Sequence, residues 1–210
     1  MTRTAVIFDL GGVVFPSPFE AFDLYDTRNN LKIGTTRSII RTSSETGAWA
    51  ALERGELSSI EFYAALEAEA TTVGVQIDAA QVMATIGEAG GARPAMVHAL
   101  GELRINGFKI GALTNNWVDD RGESTPGGLA TFDFFDTIVE SAKVGLRKPD
   151  PRIYELVCAQ LEVAPTDCVF LDDLGINLKP ALAMGMATIK VVDHIEALRE
   201  LGAILNVQLL

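Results

Sequence analysis

The sequence predicts an α/β protein: a doubly wound, Rossmann-like parallel sheet with a small all-helical cap inserted after the first strand. Short apolar runs alternate with helical patterns along most of the chain, which indicates strands joined by crossover helices. The runs lack strict alternation of apolar and polar residues, as is typical of parallel strands buried on both faces. Residues 16–93 interrupt this rhythm with helical patterns and no convincing strand.

Five apolar runs are the predicted strands of the sheet. They cover residues 4–8, 108–113, 137–139, 168–171 and 186–192. One helix is expected to begin at Pro94, and another at Pro151 with Asp150 as its N-cap. A third is expected over Gly175–Met184, where Pro180 favours an interruption or a late start.

Residues 16–93, here called the helical insertion, carry local helix signals. Ser58 and Glu61 have the spacing of a capping box ahead of an apolar helical face. The predicted domains are a core of residues 1–15 and 94–210 and a cap formed by the helical insertion. The polar, glycine-rich stretch at residues 119–128 is predicted to be a loop.

Composition excludes several classes of function. The formal net charge is −11 and no basic stripe is present, so nucleic acids and anionic membranes are poor partners. No apolar run reaches the roughly 18 residues of a membrane span, and the N-terminus does not resemble a signal peptide, so we expect a cytoplasmic protein. Cys158 and Cys168 lack metal-ligand spacing and are expected to be buried thiols. A homodimer is left open.

Polar residues follow three of the predicted strands. The strands end at Asp9, at Thr114-Asn115 and at Asp172-Asp173. Ligands of open α/β sheets bind beyond the carboxyl ends of the strands, so these residues should converge on one site. Lys148, which lies just before a predicted helix, could join them.

The chemistry of such a site is that of phosphate and a divalent cation. Clustered carboxylates repel one another unless a cation neutralises them, and oxygen ligands suit Mg²⁺. A carboxylate can attack phosphorus and form an aspartyl phosphate. The Thr114 hydroxyl, the backbone N–H groups beside Asn115 and the Lys148 ammonium could hold the phosphoryl oxygens of a small phosphorylated substrate.

Four segments in order, FDLGG, LTNN, KPDP and FLDDLGIN, resemble the four motifs of the haloacid dehalogenase superfamily. Longer stretches, TNNWVDDR, KPDPRIY and FLDDLGINLKPA, resemble the N-terminal phosphatase domain of bifunctional soluble epoxide hydrolases. They are also similar to the related domain fused to some acyl-CoA dehydrogenases. The resemblance covers nearly the whole chain and is weakest in residues 25–90.

The resemblance implies a Mg²⁺ site. Asp9 would be a ligand, with the backbone carbonyl of Gly11 as a second and Asp173 as the direct carboxylate ligand from the fourth motif. Asp172 would support the metal through water or through the lysine of the third motif. Asn177 would position groups near the metal.

The resemblance also implies a phosphoryl-transfer site. Asp9 would be the nucleophile, Lys148 would neutralise both it and the phosphoryl group, and Thr114 and Asn115 would bind phosphate. The helical insertion would choose the substrate.

One position departs from the superfamily pattern. Most of its phosphatases carry an acid/base aspartate two residues after the nucleophile, where this chain has Gly11. Acid/base help is typically worth about 10²–10⁴ in rate, so turnover is affected more than binding. Glu53 or Glu56 of the helical insertion could substitute.

Two other activities stay open, and a third is not expected. Metal-free dehalogenation of a 2-haloacid stays open, although without a metal the acidic pair at residues 172–173 would be unfavourable. A non-catalytic module that binds Mg²⁺ and a phosphorylated ligand also stays open. Epoxide hydrolysis is not expected, because the resembling proteins place it in a separate C-terminal domain.

Overall fold

The computed structural model describes residues 3–42, 45–88, 90–118 and 129–210. Five parallel strands form one sheet in the order β3-β2-β1-β4-β5. The strands are β1 (Ala5–Phe8), β2 (Lys109–Thr114), β3 (Thr137–Glu140), β4 (Cys168–Asp172) and β5 (Ala187–Lys190). Each lies within or beside a predicted run, which confirms the doubly wound parallel sheet.

Helices alone fill the helical insertion as far as the structure describes it. They are α1 (Pro18–Arg28), α2 (Thr35–Thr42), α3 (Ala48–Glu53), α4 (Ser59–Thr72) and α5 (Ala79–Gly87). The predicted capping box begins α4: Ser58 Oγ accepts from Glu61 N, and the Glu61 carboxylate accepts from Ser58 N. These helices share a core that includes Phe22, Trp49 and Phe62. The predicted all-helical insert after the first strand is confirmed.

The remaining helices cover the two faces of the sheet. They are α6 (Pro94–Ile105), α7 (Leu129–Phe132), α8 (Ser141–Val144), α9 (Pro151–Leu161), a 3₁₀ turn at Pro165–Asp167, α10 (Gly175–Ala183) and α11 (His194–Leu205). Asp150 caps α9 by accepting from Arg152 N, as predicted. In the described part of the chain, no helix is long and apolar enough to cross a bilayer.

Strand β1 lies at the centre of the sheet and is fully buried. Val6 and Phe8 pack toward α6 and α11, while Ala5 and Ile7 pack toward α9. Both faces are therefore apolar, which explains the continuous apolar run. Because β2 and β4 flank β1 in parallel, the residues that follow all three strands meet at one edge.

Helix α10 differs from its prediction. It runs without interruption from Gly175 to Ala183 and contains Pro180. A proline inside a helix deprives the carbonyl four residues earlier of its donor. That residue is Ile176, which is 55% exposed, so water can replace the lost donor. The predicted loop at residues 119–128 lies outside the described residues.

Candidate active site

Three charged side chains form a buried ion-pair bridge at the carboxyl edge of the sheet. Asp9 follows β1, Asp172 ends β4, and Lys148 comes from the segment before α9. Lys148 Nζ lies 2.8 Å from Asp9 Oδ1 and 2.7 Å from Asp172 Oδ2. The lysine is 1% exposed and Asp172 is fully buried. The ammonium is thus fixed between two carboxylates from neighbouring strands.

Burial and mutual repulsion shape the titration of this site. Burial raises the pKa of Asp9 well above its usual range; Lys148 opposes that rise, and Asp172 and Asp173 add to it. Burial acts to lower the pKa of Lys148, yet the carboxylates of Asp172 and Asp9 outweigh it and the net pKa is raised. Burial, and then Asp172, raise the pKa of Asp173 to about 6. One ammonium therefore faces three carboxylates.

The acidic residues fit a Mg²⁺ ion. Asp9, Asp172 and Asp173 each offer an oxygen within 4.8 Å of the others. Asp173 Oδ2 accepts a long 3.5 Å hydrogen bond from Ser17 Oγ, which leaves its charge poorly compensated. An all-oxygen, charge-rich cluster is the environment that hard cations prefer. The donor set and its excess negative charge thus match the metal that the sequence implied.

The turn after β1 supplies both glycines of the FDLGG segment. Its hydrogen bonds run from Phe15 N to Leu10 O and from Gly12 N to Pro16 O, and neither uses the Gly11 carbonyl oxygen. Gly12 has φ +79°, and a Cβ there would lie 2.4 Å from Asp173 Oδ2. The close approach of this turn to Asp173 therefore requires glycine at position 12.

Gly11 is not required by the fold in the same way. A Cβ at this position would meet Pro18 Cδ at 3.4 Å, which is ordinary van der Waals contact, and its φ lies outside the left-handed region. The local backbone would accept an aspartate. The backbone conformation of this turn therefore does not explain why glycine replaces the acid/base aspartate at position 11.

Asn177 and Tyr154 hold Asp172 in place. Asn177 Nδ2 donates to both carboxylate oxygens of Asp172, at 3.0 and 3.1 Å, and Leu174 N donates to Oδ1 at 2.8 Å. Tyr154 OH donates to the Asn177 carbonyl at 2.7 Å. Sequence reasoning missed Tyr154, although it ends the KPDPRIY segment and falls on the buried face of α9.

Asn115 points its side chain at the lysine segment. Its Oδ1 accepts from Lys148 N at 2.8 Å, and its Nδ2 donates to Lys148 O at 3.1 Å. Thr114 is buried beside it, with a long 3.5 Å contact from Oγ1 to Asn115 O. The structure brings both residues to the site. The Asn115 amide is occupied by the backbone of Lys148.

Neither glutamate considered as a substitute acid/base residue carries a free carboxylate. Glu53 accepts from Arg147 Nε at 2.7 Å and from Trp49 Nε1 at 2.8 Å. Both oxygens of Glu56 accept from Arg54, at 2.6 and 2.7 Å. Both carboxylates are held by arginines in this structure, and the suggestion that one of them replaces the missing aspartate stays a prediction.

Comparison with known proteins identifies the family. Residues 4–185 match the haloacid dehalogenase-like hydrolases. The chain is 34% identical to mouse acyl-CoA dehydrogenase family member 10 over 96% of its length, and 33% identical to pig bifunctional epoxide hydrolase 2 over all of it. It spans 19% and 40% of those two proteins. It is 31% identical to the sesquiterpene phosphatase astK of Aspergillus oryzae, covering 95% of each.

Solved structures agree on the fold. A haloacid dehalogenase family enzyme of Bacteroides thetaiotaomicron, in complex with magnesium and inorganic phosphate, aligns with a TM-score of 0.60 at 20% identity, over 90% of this chain and 93% of that one. The L-2-haloacid dehalogenase of Xanthobacter autotrophicus aligns with a TM-score of 0.65 at 21% identity, over 96% and 83%. The resemblance seen in the four sequence segments is confirmed, and the chain belongs to the haloacid dehalogenase-like hydrolases.

Proposed function

We propose that this protein is a Mg²⁺-dependent phosphatase that transfers a phosphoryl group from a small monoester or acyl phosphate to Asp9 and then to water. The observation that carries this function is the bridge of Lys148 between Asp9 and Asp172, beside a third carboxylate, Asp173. The bridge holds Asp9, the Lys148 ammonium and the acidic cluster at one buried edge of the sheet, which supports their roles as nucleophile, phosphoryl-binding cation and metal site.

The two oxygens of Asp9 have different environments. Oδ1 accepts from Leu10 N at 2.7 Å and from Lys148 Nζ at 2.8 Å, which fixes the orientation of the carboxylate. The hydrogen bond and the ion pair that Asp9 makes with other described residues both involve Oδ1 and leave Oδ2 for the substrate. Oδ2 therefore attacks phosphorus, a P–O bond to Asp9 forms, and the bond to the leaving oxygen breaks.

Lys148 and the chain near Thr114 stabilise the transferred group. An ammonium has three donors, and the two carboxylates occupy two of them, so one remains for a phosphoryl oxygen. The Thr114 hydroxyl and the backbone N–H groups beside Asn115 bind the others. Bound by Asp9, Asp173 and the Gly11 carbonyl, Mg²⁺ would cancel charge between the carboxylate and the phosphoryl group.

The second step releases phosphate. Water attacks the phosphorus of the aspartyl phosphate and loses a proton to bulk solvent, the P–O bond to Asp9 breaks, and the carboxylate is regenerated. Gly11 offers no carboxyl group to protonate the leaving oxygen or to take a proton from this water. Both steps are therefore slower than with an acid/base residue, by about 10²–10⁴.

Relatives support this reaction class. The sesquiterpene phosphatase is matched over nearly its whole length, and the enzyme from Bacteroides was solved with magnesium and phosphate. The helical insertion, residues 16–93, acts as the cap domain and selects the leaving group, while residues 1–15 and 94–210 form the core domain.

Gly11 favours one second candidate, a module that binds Mg²⁺ and a phosphorylated ligand without turnover. A panel of acyl, aryl and alkyl phosphates, assayed with Mg²⁺ and with a chelator, separates the two. Metal-dependent phosphate release that disappears in Asp9→Asn supports the phosphatase. Thermal stabilisation by Mg²⁺ and phosphate, with no turnover of any compound, supports the binding module. Halide release from a 2-haloacid in chelator would instead show a dehalogenase.

A further inference from the structure

The helical insertion and the core are joined by a buried ion pair. Glu53 ends α3 of the insertion, and Arg147 immediately precedes Lys148 in the core. Arg147 Nε and Nη2 lie 2.7 and 2.6 Å from Glu53 Oε2, and the two side chains are 19% and 9% exposed. Breaking a buried pair by removing one partner leaves an uncompensated charge, so the pair constrains both elements.

Other contacts fix α3 in the same position. Trp49 Nε1 donates to Glu53 Oε1 at 2.8 Å, and the Trp49 ring packs edge-on against Trp117 of the core, with centroids 5.6 Å apart. Gly55, with φ +68°, follows α3, and a Cβ there would lie 2.4 Å from Ala142 O. Backbone from the insertion therefore lies directly against α8, and the approach requires glycine.

Glu53 is also connected to the lysine of the site through Asn115. Asn115 Nδ2 lies 3.4 Å from Glu53 Oε2 and 3.1 Å from Lys148 O, while Asn115 Oδ1 accepts from Lys148 N at 2.8 Å. The amide thus holds the Lys148 peptide on both sides. A carboxylate of the insertion therefore contacts two residues that determine where the Lys148 backbone lies.

We propose that Glu53 is a positioning residue that couples docking of the helical insertion to the placement of Lys148; this rests on the proposed function. With the insertion docked, Glu53 holds Arg147 and orients the Asn115 amide, and Lys148 Nζ reaches both Asp9 and Asp172. With the insertion undocked, Arg147 and Asn115 lose this acceptor. The phosphoryl site is therefore complete only when the insertion covers it, which excludes water at the same moment.

The test compares Glu53→Gln with a matched control, Glu88→Gln. Glu88 also pairs with an arginine, Arg28, but both lie within the insertion and are about half exposed. With an aryl phosphate and Mg²⁺, we expect kcat of Glu53→Gln to fall by about 10²-fold, the size of a small misplacement of catalytic groups, with a smaller change in KM. Glu88→Gln should retain wild-type kcat.

A second readout is independent of turnover. The two tryptophans of the chain, Trp49 and Trp117, both lie at this junction, so acrylamide quenching of their fluorescence reports docking. Mg²⁺ with inorganic phosphate should protect them in the wild type and not in Glu53→Gln. This readout holds even if no phosphate is turned over, so it separates failure of the coupling from failure of the phosphatase function.

Arg147→Lys changes the other partner of the ion pair and keeps its positive charge. It serves as a second test of the coupling in case Glu53→Gln folds poorly. It should show the same loss of kcat, and the double variant should lose no more than either single one, because both remove one interaction. Wild-type kcat in Glu53→Gln would overturn the coupling. So would a lower kcat with unchanged protection of the tryptophans, or independent losses that multiply in the double variant.

Discussion

Replacing Lys148 by methionine tests the electrostatics of the site. Methionine keeps an unbranched apolar stem and removes the ammonium that lies 2.8 Å from Asp9 and 2.7 Å from Asp172. The variant would leave the buried carboxylates of Asp9 and Asp172, with Asp173 beside them, without a cation. Removing one partner of a buried ion pair costs about 3–5 kcal/mol.

This free energy corresponds to a measurable shift in thermal stability. In a chain of this size each kcal/mol lowers Tm by about 2–4 °C, so the expected fall is about 6–20 °C. The loss should depend on pH. Without the ammonium, the folded-state pKa values of Asp9 and Asp173, which are already raised, rise further above their unfolded values. The ionised carboxylates then destabilise the folded state, so the stability that the variant loses is small at low pH and grows as pH rises through about 6, near the raised pKa of Asp173.

The assay is thermal unfolding followed by circular dichroism in chelator, at about pH 5 and about pH 7.5. Lys109→Met is the control, because Lys109 is 44% exposed, its carboxylate partner Glu162 lies 3.9 Å away, and its Nζ donates to Leu161 O at 2.6 Å. Loss of this exposed pair and of one hydrogen bond should cost about 1–2 kcal/mol at either pH. A Lys148→Met loss equal to that of the control, or independent of pH, would refute the reasoning.

Three further predictions concern the metal and the missing acid. Asp173→Ala should weaken Mg²⁺ binding in calorimetric titration more than Asp172→Ala does. Asp172→Ala should lower the metal-free Tm more, because Asp172 accepts from three donors. The reverse ranking would show that the roles of Asp172 and Asp173 are exchanged. Mg²⁺ should raise the wild-type Tm more as pH rises through about 6, since the ion competes with a proton on Asp173; a constant shift would contradict this. Gly11→Asp should raise alkyl phosphate turnover by about 10²-fold, with a smaller gain for aryl phosphates, whose leaving oxygens need less help. Equal gains, or none, would show that another group already supplies the proton.

The strands and the acidic cluster could be predicted because their signals are local. Each apolar run that ends in a polar residue marks a buried strand and its carboxyl end, as at Asp9 and Asp172. Parallel order then brings those ends together without any knowledge of side-chain contacts. Lys148 could be placed from its position before α9, and it lies between the two carboxylates.

What the sequence could not predict depends on long-range contacts. Glu53 and Arg147 are 94 positions apart, and neither has a local pattern that distinguishes it from a surface charge. The side chain of Asn115 could have faced phosphate or the lysine peptide, and only packing decides for the peptide. Pro180 lies inside α10 although proline disfavours helix interiors; the residue that loses its donor, Ile176, is 55% exposed, so water can replace that donor.

The measurement that tests the central claim most directly is detection of phosphorylated Asp9. Wild-type protein is mixed with an acyl phosphate and Mg²⁺, quenched in acid within the first turnover, and analysed by mass spectrometry as intact protein and as peptides. Because Gly11 offers no base to activate water, the covalent intermediate should accumulate in a burst. We expect one phosphoryl group on the peptide containing Asp9 and none in Asp9→Asn. Turnover without any phosphorylated protein, or equal turnover in Asp9→Asn, would contradict the assignment of the nucleophile.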